Sequence, residues 1–154
     1  MGSNCALAVV TAVALTAPFS FAAEDTGRIY VYAQRLTAAN KWLPISCGDA
    51  VVAELKQGMF FAINVPPGRY TLSPAKGVPV AIDVSSGEES FVRLDWNYGV
   101  GRSPVPELHA VRKQQAREQM RFLSYLNANK MLSSSVSKTD PREPELRLIR
   151  RNPE

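Results

Sequence analysis

Short segments in which apolar side chains recur at every second residue constrain the fold of this chain more than any other feature. Turn-forming residues separate these segments, and no helical period lies between them. The segments cover residues 28–36, 50–55, 59–65, 69–73, 78–84 and 89–96. Short strands joined by turns are typical of two β layers that pack on one core. The sequence therefore predicts a mainly β fold, a small antiparallel β-sandwich of immunoglobulin-like or prealbumin-like form.

The alternation also predicts where individual segments lie in the sandwich. Residues 28–36 carry apolar groups on both faces, for example Ile29 on one and Tyr30 on the other, which indicates an inner strand. Pro79 has no backbone N–H, so residues 78–84 are expected at an edge or a bulge. The core-facing side chains predicted in the other segments include Met59, Phe61, Ile63, Val65, Tyr70, Leu72, Val92, Leu94 and Trp96.

Pro66, Pro67 and Gly68 join the third and fourth segments. Proline cannot donate to a sheet ladder, so pairing of the third strand is expected to stop at Val65. The fixed φ of proline suits the leading corner of a turn, and Gly68 supplies the positive φ that a type II turn requires. We interpret the three residues as a structural turn. A Pro-Pro ligand for an aromatic groove is the alternative.

The hairpin and turn residues form a recognisable series. Its members are Leu55, Gly58, Phe60, Pro67, Gly68, Gly87, Glu88, Phe91 and Val92. The series resembles the bacterial DUF2846 family, a domain of unknown function, over about residues 28–125. Similar hairpins occur in PEGA-like and carboxypeptidase-regulatory-like modules. The resemblance implies an exported β-sandwich, often lipid-anchored, and carries no catalytic residues. This chain departs from the anchored form, because Cys5 precedes the apolar N-terminal segment instead of following it.

The N-terminal segment has the pattern of a secretory leader. Residues 1–23 contain no Lys, Arg, Asp or Glu and end in Phe21-Ala22-Ala23. An apolar run before small residues predicts a signal peptide that is removed on export, to the periplasm or the medium. An uncleaved membrane anchor is the alternative, although Pro18 interrupts the apolar run.

The residues that carry chemistry are few. His109 is the only histidine, and Cys47 is the only cysteine outside the N-terminal segment. We interpret Cys47 as a small buried side chain, with an intermolecular bridge or a reactive thiol as alternatives. Glu107 shares a strand face with His109, and Asp83 and Asp95 occupy outward positions. None of these patterns predicts a catalytic or metal site, so we expect no enzyme activity, cofactor or nucleic-acid partner.

Positive charge is concentrated in the C-terminal third. Residues 24–101 carry seven Lys/Arg and eight Asp/Glu, whereas residues 102–154 carry eleven and six. A sandwich domain over residues 24–111 is expected to end in a short strand at 107–111. A helix is predicted over 112–132, packed on or beside the domain, and a disordered basic tail over 133–154. Arg147, Arg150 and Arg151 of this tail are candidate contacts for an anionic surface.

These observations predict a non-enzymatic exported envelope protein. The first hypothesis is a β-sandwich module that binds a protein or a surface polymer of the envelope. The alternative is binding of an anionic membrane surface or polymer through the basic C-terminal helix and tail, which makes the protein membrane-associated. The sequence indicates neither the partner nor the oligomeric state.

Overall fold

The structure is a computed structural model that describes residues 26–35 and 41–144. In chain order the strands are β1 (Gly27–Ala33), β2 (Leu43–Cys47), β3 (Ala50–Leu55), β4 (Met59–Val65), β5 (Gly68–Pro74), β6 (Val80–Val84), β7 (Glu89–Asn97) and β8 (Val105–Val111). Helix α1 (Lys113–Met120), the two-residue strand β9 (Ser124–Tyr125) and a 3₁₀ helix (Ala128–Lys130) follow.

The described strands form two sheets, which confirms the predicted mainly β sandwich. One sheet has five strands in the order β8-β7-β1-β4-β9, and the other has four in the order β3-β2-β5-β6. Neighbouring strands are antiparallel except for two parallel pairs, β1 with β7 and β4 with β9. The predicted edge position of residues 78–84 is confirmed, because β6 is the last strand of its sheet. Strand β2, which contains Pro44, was not predicted.

The core lies between the two sheets and follows the predicted two-residue period, except in β3, where the adjacent Val52 and Ala53 are both buried. Trp96, which was predicted to face the core, belongs to neither buried cluster. The five-stranded sheet contributes Ile29, Val31, Phe61, Ile63, Val65, Val92 and Leu94. The four-stranded sheet contributes Ile45, Val52, Leu55, Leu72, Ile82 and Val84. Burial of such aliphatic and aromatic side chains stabilises the layers by about 1.5–3 kcal/mol for each side chain.

The other face of the five-stranded sheet is buried as well. Tyr30, Tyr32, Phe60 and Phe91 form a second cluster, against which α1 packs with Ala116, Met120 and the following Leu123. The rings of Tyr30 and Phe91 are stacked with centroids 4.9 Å apart. Strand β1 is therefore an inner strand with both faces covered, as its sequence predicted.

The Pro-Pro-Gly segment connects β4 to β5 in a geometry that differs from the predicted one. Strand β4 ends at Val65, as expected. Gly68 is already the first residue of β5, paired with Val84, and its φ of 159° is close to extended. A type II turn needs a φ near +80° at its glycine, so the connection is not of that type. The Tyr70 hydroxyl stabilises it by donating to the Pro66 carbonyl oxygen at 2.8 Å.

The helix predicted over residues 112–132 is correct only as far as Met120. Residues 124–125 instead form β9, which pairs with Met59 and Phe60 at the edge of β4. The Leu126 N–H donates to the Phe60 carbonyl oxygen at 2.8 Å, and the Leu126 side chain enters the core. Pairing with a sheet edge and burial of leucine outweigh the modest helix propensity of these residues.

Residues 131–137 continue along the same side of the sandwich. Met131 bridges Ala53 of β3, and Val136 bridges Ile63 of β4. The segment thereby covers the outer edges of both sheets, and Val136 is 2% exposed within the core. The prediction of a disordered tail is wrong for residues 133–144, which have defined contacts, while residues 145–154 lie outside the described residues.

Arg142 anchors residues 138–144, the described residues that follow this segment. Its guanidinium donates to the carbonyl oxygens of Met120 at 2.7 Å and Leu123 at 3.0 Å, directly after the end of α1. It is also paired with Asp140 at 2.9 Å and lies 4.0 Å from the centre of the Phe60 ring. One side chain thus stabilises the helix terminus and the covering segment together, since the last carbonyls of a helix lack partners within it.

Replacing Arg142 by alanine is expected to lower the free energy of unfolding by about 2–3 kcal/mol, because two carbonyl oxygens and one carboxylate lose their charged donor. Lysine at this position cannot reproduce the forked contacts, so Arg142→Lys is expected to recover only part of the loss. Urea unfolding measures the free energy of unfolding of both variants. Lys138→Ala, which truncates an exposed cation in the same segment, is the control, and an equal loss in it would contradict the anchoring role.

Candidate functional site

A groove of about 650 Å³ opens along the side of the sandwich that residues 124–144 leave uncovered. It lies between β6, the edge strand of one sheet, and β8, the edge strand of the other. Its lining includes Ala81 and Asp83 of β6, Phe91 of β7 and Ala110 of β8. We call this region the edge groove.

The two strands that border the edge groove start joined and then separate. Just before β6, the Val78 N–H donates to the Pro106 carbonyl oxygen at 2.9 Å, and the Leu108 N–H donates to the Val78 carbonyl oxygen at 3.2 Å. Backbone groups of alternate residues in a strand point to the same edge, so the N–H and C=O of Ala110 also face the groove. Beyond Val78, no strand of the described part pairs with the groove side of β6 or β8.

A charged network forms the wall at the wider end of the edge groove. Glu89, the first residue of β7, accepts from Lys113 at 2.7 Å and from Arg117 at 3.1 Å, one turn apart on α1. The hydroxyl of Tyr30 donates to its other oxygen at 3.2 Å. Burial acts to raise the pKa of Glu89. The hydrogen bond from Lys113 and its positive charge act in the other direction, as do the hydrogen bond from Tyr30 and the charge of Arg117. These interactions outweigh burial, so the pKa of Glu89 lies below its usual value. The network therefore joins α1 to the sheet.

The site residues proposed from the sequence lie elsewhere. Pro66, Pro67 and Gly68 are at the β4–β5 connection and line no part of the edge groove. The candidate anionic-surface contacts Arg147, Arg150 and Arg151 lie outside the described residues.

The structure separates most of the other chemistry-bearing residues. His109 and Glu107 do share a face of β8, with Nε2 and Oε2 3.4 Å apart, and the histidine side chain is half-exposed. Asp83 and Asp95 lie on strands of different sheets, and Asp95 pairs with Arg93 at 2.7 Å. Among the described residues, no group of three His, Cys, Asp or Glu side chains is arranged to hold a metal ion.

Cys47 ends β2, in the sheet that does not contain His109. It is partly buried against the core, and this burial raises the pKa of its thiol. A raised pKa reduces the fraction of thiolate, the nucleophilic form. The interpretation of Cys47 as a small buried side chain is therefore correct only in part, because the residue is half-buried.

The sequence contained only a partial signal for the edge groove. Lys113 and Arg117 are four residues apart, a spacing that places two cations on one side of a helix. Their common partner Glu89 is 24 and 28 residues earlier, and only the packing of α1 on β7 brings them together. Ala81 and Ala110 are exposed alanines on edge strands, and nothing in their identity indicates a groove.

The chain matches no protein-family model, and no curated protein matches its sequence. The resemblance to the DUF2846 family therefore stays a prediction. Within residues 26–35 and 41–144, no helix combines the length and the apolar character needed to cross a bilayer.

Replacing Glu89 by glutamine is expected to lower the free energy of unfolding by about 1–2 kcal/mol at pH 7, because a charge-assisted pair with Lys113 is lost. A carboxylate whose pKa is lowered on folding stabilises the native state above its unfolded pKa. The contribution disappears as the pH falls through the folded pKa. Urea unfolding from pH 7 to pH 3 should therefore show the two proteins converging in acid. Glu88→Gln is the matched control, and a difference between Glu89→Gln and wild type that does not vary with pH would contradict the assignment.

The Cys47 thiol is expected to react with iodoacetamide at pH 7.5 about tenfold more slowly than a cysteine in an unstructured peptide, since burial limits both access and ionisation. The measurement uses a Cys5→Ser variant so that a single thiol is present. Addition of 8 M urea, a denaturing concentration, should restore the peptide rate. A folded-state rate equal to that of the peptide would identify Cys47 as an accessible thiol.

Proposed function

We propose that the chain is an exported, non-enzymatic module that binds an extended segment of a partner protein in the cell envelope. The edge groove is the observation that carries this proposal. Two edge strands border it, their facing backbone groups lack a strand partner in the described part, and the covering segment lies on the other side of the sandwich.

Strand addition explains why such a groove suits a peptide. An extended segment that enters beside β8 can pair with the N–H and C=O of Ala110, and its alternate side chains then point towards or away from the core. β6 has five residues, but β8 is bonded to Val78 as far as Leu108, so the groove accommodates only a short extended segment. Exposed small side chains at Ala81 and Ala110 leave room for the backbone of the segment to approach.

The charges around the groove favour a segment that carries a basic residue. The carboxylate of Asp83 is exposed, and its nearest cation, Arg69, is at 3.9 Å and equally exposed, so the pair is weak. Glu88 is a second exposed carboxylate in the lining, whereas the ammonium of Lys113 is paired with Glu89. A lysine or arginine in the partner therefore finds carboxylates that lack a strong internal partner.

The envelope location in this proposal rests on the leader pattern of residues 1–23. The family resemblance supports the same location, because it implies an exported sandwich. Contact of Arg147, Arg150 and Arg151 with an anionic surface stays the alternative proposed from the sequence.

Peptides selected from a random seven-residue display library on the purified protein are expected to be extended and enriched in Lys and Arg. Ala110→Arg, which fills the groove, is expected to lower their affinity by tenfold or more, about 1.4 kcal/mol. Ala128→Arg places the same side chain on the exposed 3₁₀ helix and is expected to leave the affinity within about twofold, below 0.5 kcal/mol.

Isothermal titration measures the affinities, and urea unfolding verifies that both variants are folded. Cross-strand NMR contacts between the bound peptide and Ala110 would support strand addition directly. Selection of no sequence above background, or equal affinities for the two variants, would overturn the proposal.

A further inference from the structure

Five chain connections meet at one end of the sandwich, which we call the basic end. They are the β1–β2 connection, described at 34–35 and 41–42, the β3–β4 connection at 56–58 and the β5–β6 connection at 75–79. The other two are the β7–β8 loop at 98–104 and the connection from α1 to β9 at 121–123. Backbone hydrogen bonds link these connections to one another and to the strand ends beside them. The Gly58 N–H donates to the Ala33 carbonyl oxygen, and the Ser124 N–H donates to the Gly58 carbonyl oxygen. The Ala75 N–H donates to the Pro44 carbonyl oxygen, and the Val78 N–H donates to that of Pro106.

The five connections of the basic end, as far as they are described, contain six cations and no carboxylate. The cations are Arg35, Lys41, Lys56, Lys76, Arg102 and Arg121, and all but Lys56 are exposed. The carboxylates of Glu54 and Asp140 lie beside the connections and are paired with Lys130 and Arg142. The connections at the opposite end mix both signs, with Asp49 and Glu88 beside Arg112. The positive field is therefore directed to one end of the molecule.

Exposed apolar side chains concentrate at the same end. Seven large hydrophobic side chains of the described part are exposed, and two of these, Val51 and Leu132, lie elsewhere. The five at or beside the basic end are Val78, Tyr98, Val100, Val105 and Phe122. Val100, at the tip of the β7–β8 hairpin, is fully exposed, and Phe122 is 78% exposed. Such a group of apolar residues among cations marks an interaction surface.

An aromatic side chain at the basic end has two ammonium groups close to its ring. The Nζ atoms of Lys56 and Lys130 are 5.6 Å and 4.7 Å from the centre of the Trp42 ring. Lys130 is also paired with Glu54, which holds it beside the ring. Phe122 has Arg121 as its neighbour, with the guanidinium 5.7 Å from the ring centre. Aromatic rings next to cations are enriched where proteins meet the boundary between headgroups and acyl chains.

We propose that the basic end docks onto an anionic lipid bilayer, with Val100 and Phe122 entering the headgroup region. Six cations without a carboxylate are complementary to a negative surface. A soluble polyanion satisfies the cations but offers no medium for the apolar side chains, whereas a bilayer accepts both. This site is separate from the edge groove and does not depend on residues 145–154.

Co-sedimentation with vesicles of phosphatidylglycerol and phosphatidylcholine tests the proposal. The protein begins at Glu24 in this experiment, so that the apolar segment before it makes no contribution, and it contains every described residue. Binding is expected to fall with salt and to be weak on vesicles of phosphatidylcholine alone. The triple variant Arg35→Glu, Arg102→Glu, Arg121→Glu is expected to lower the partition constant by about 100-fold, roughly fivefold for each cation.

The matched control reverses three exposed cations outside the basic end, in Arg69→Glu, Arg112→Glu, Lys138→Glu. It has the same net charge and is expected to lose far less binding. Equal losses in the two triple variants would overturn the proposal, since binding would then follow net charge alone. Deletion of residues 145–154 is expected to leave binding unchanged, and loss of binding there would assign the contact to Arg147, Arg150 and Arg151 instead.

A second measurement distinguishes a bilayer from a soluble polymer. Val100→Ser with Phe122→Ser is expected to weaken vesicle binding at least tenfold and to leave binding of dextran sulfate unchanged. Val51→Ser is the control for an exposed apolar side chain elsewhere. In Phe122→Trp, the fluorescence of the new tryptophan should be quenched by lipids brominated on their acyl chains. The absence of added quenching, or unchanged vesicle binding by the serine variant, would overturn the insertion of these side chains.

Discussion

Burial of both faces of the five-stranded sheet is the constraint on which the rest of this structure depends. A sheet with one solvated face needs only one covering layer, but β1 places Ile29 and Val31 on one side and Tyr30 and Tyr32 on the other. The four-stranded sheet covers the first side, and α1 covers the second. Because α1 comes after the last long strand, the C-terminal residues are required to complete the fold.

Covering the second face also determines which edges stay open. From the end of α1, the chain continues along β4 and β3, where Leu126 and Val136 enter the core and Arg142 returns to the helix terminus. One side of the sandwich is thereby closed, which removes exposed strand edges of the kind that promote aggregation. The other side is closed only at Val78, and the edge groove is the part that remains.

The sequence predicted the layers well and the C-terminal third poorly, for identifiable reasons. Alternation in residues 59–65 is a local property of the chain, so β4 and its core face could be recognised without its neighbours. β2 was missed because Pro44 interrupts the pattern, although Leu43, Ile45 and Cys47 alternate. The overlong helix and the supposed disorder of residues 133–144 have another cause. β9 and the Val136 bridge exist only through pairing with β4, and no local pattern indicates that pairing.

The charge distribution could not be predicted from the sequence for the same reason. Counted along the chain, basic residues are concentrated in the C-terminal third, which led to the prediction of a basic tail that contacts an anionic surface. In the folded protein, Arg35, Lys41, Lys56 and Lys76 come from the nearly neutral first part, and the antiparallel connections bring them to the same end as Arg102 and Arg121. A property spread over five separate connections appears only when the topology is known.

The two proposed surfaces are compatible with each other in space. The edge groove begins where Val78 meets β8, near the basic end, and widens towards Glu89 and Lys113 at the opposite end. Thr26 also lies at the opposite end, since its carbonyl oxygen accepts from the Gly87 N–H. A protein docked through its basic end therefore directs the wider part of the groove away from the bilayer. In that orientation, an envelope partner can reach the edge strands without displacing the lipid contact.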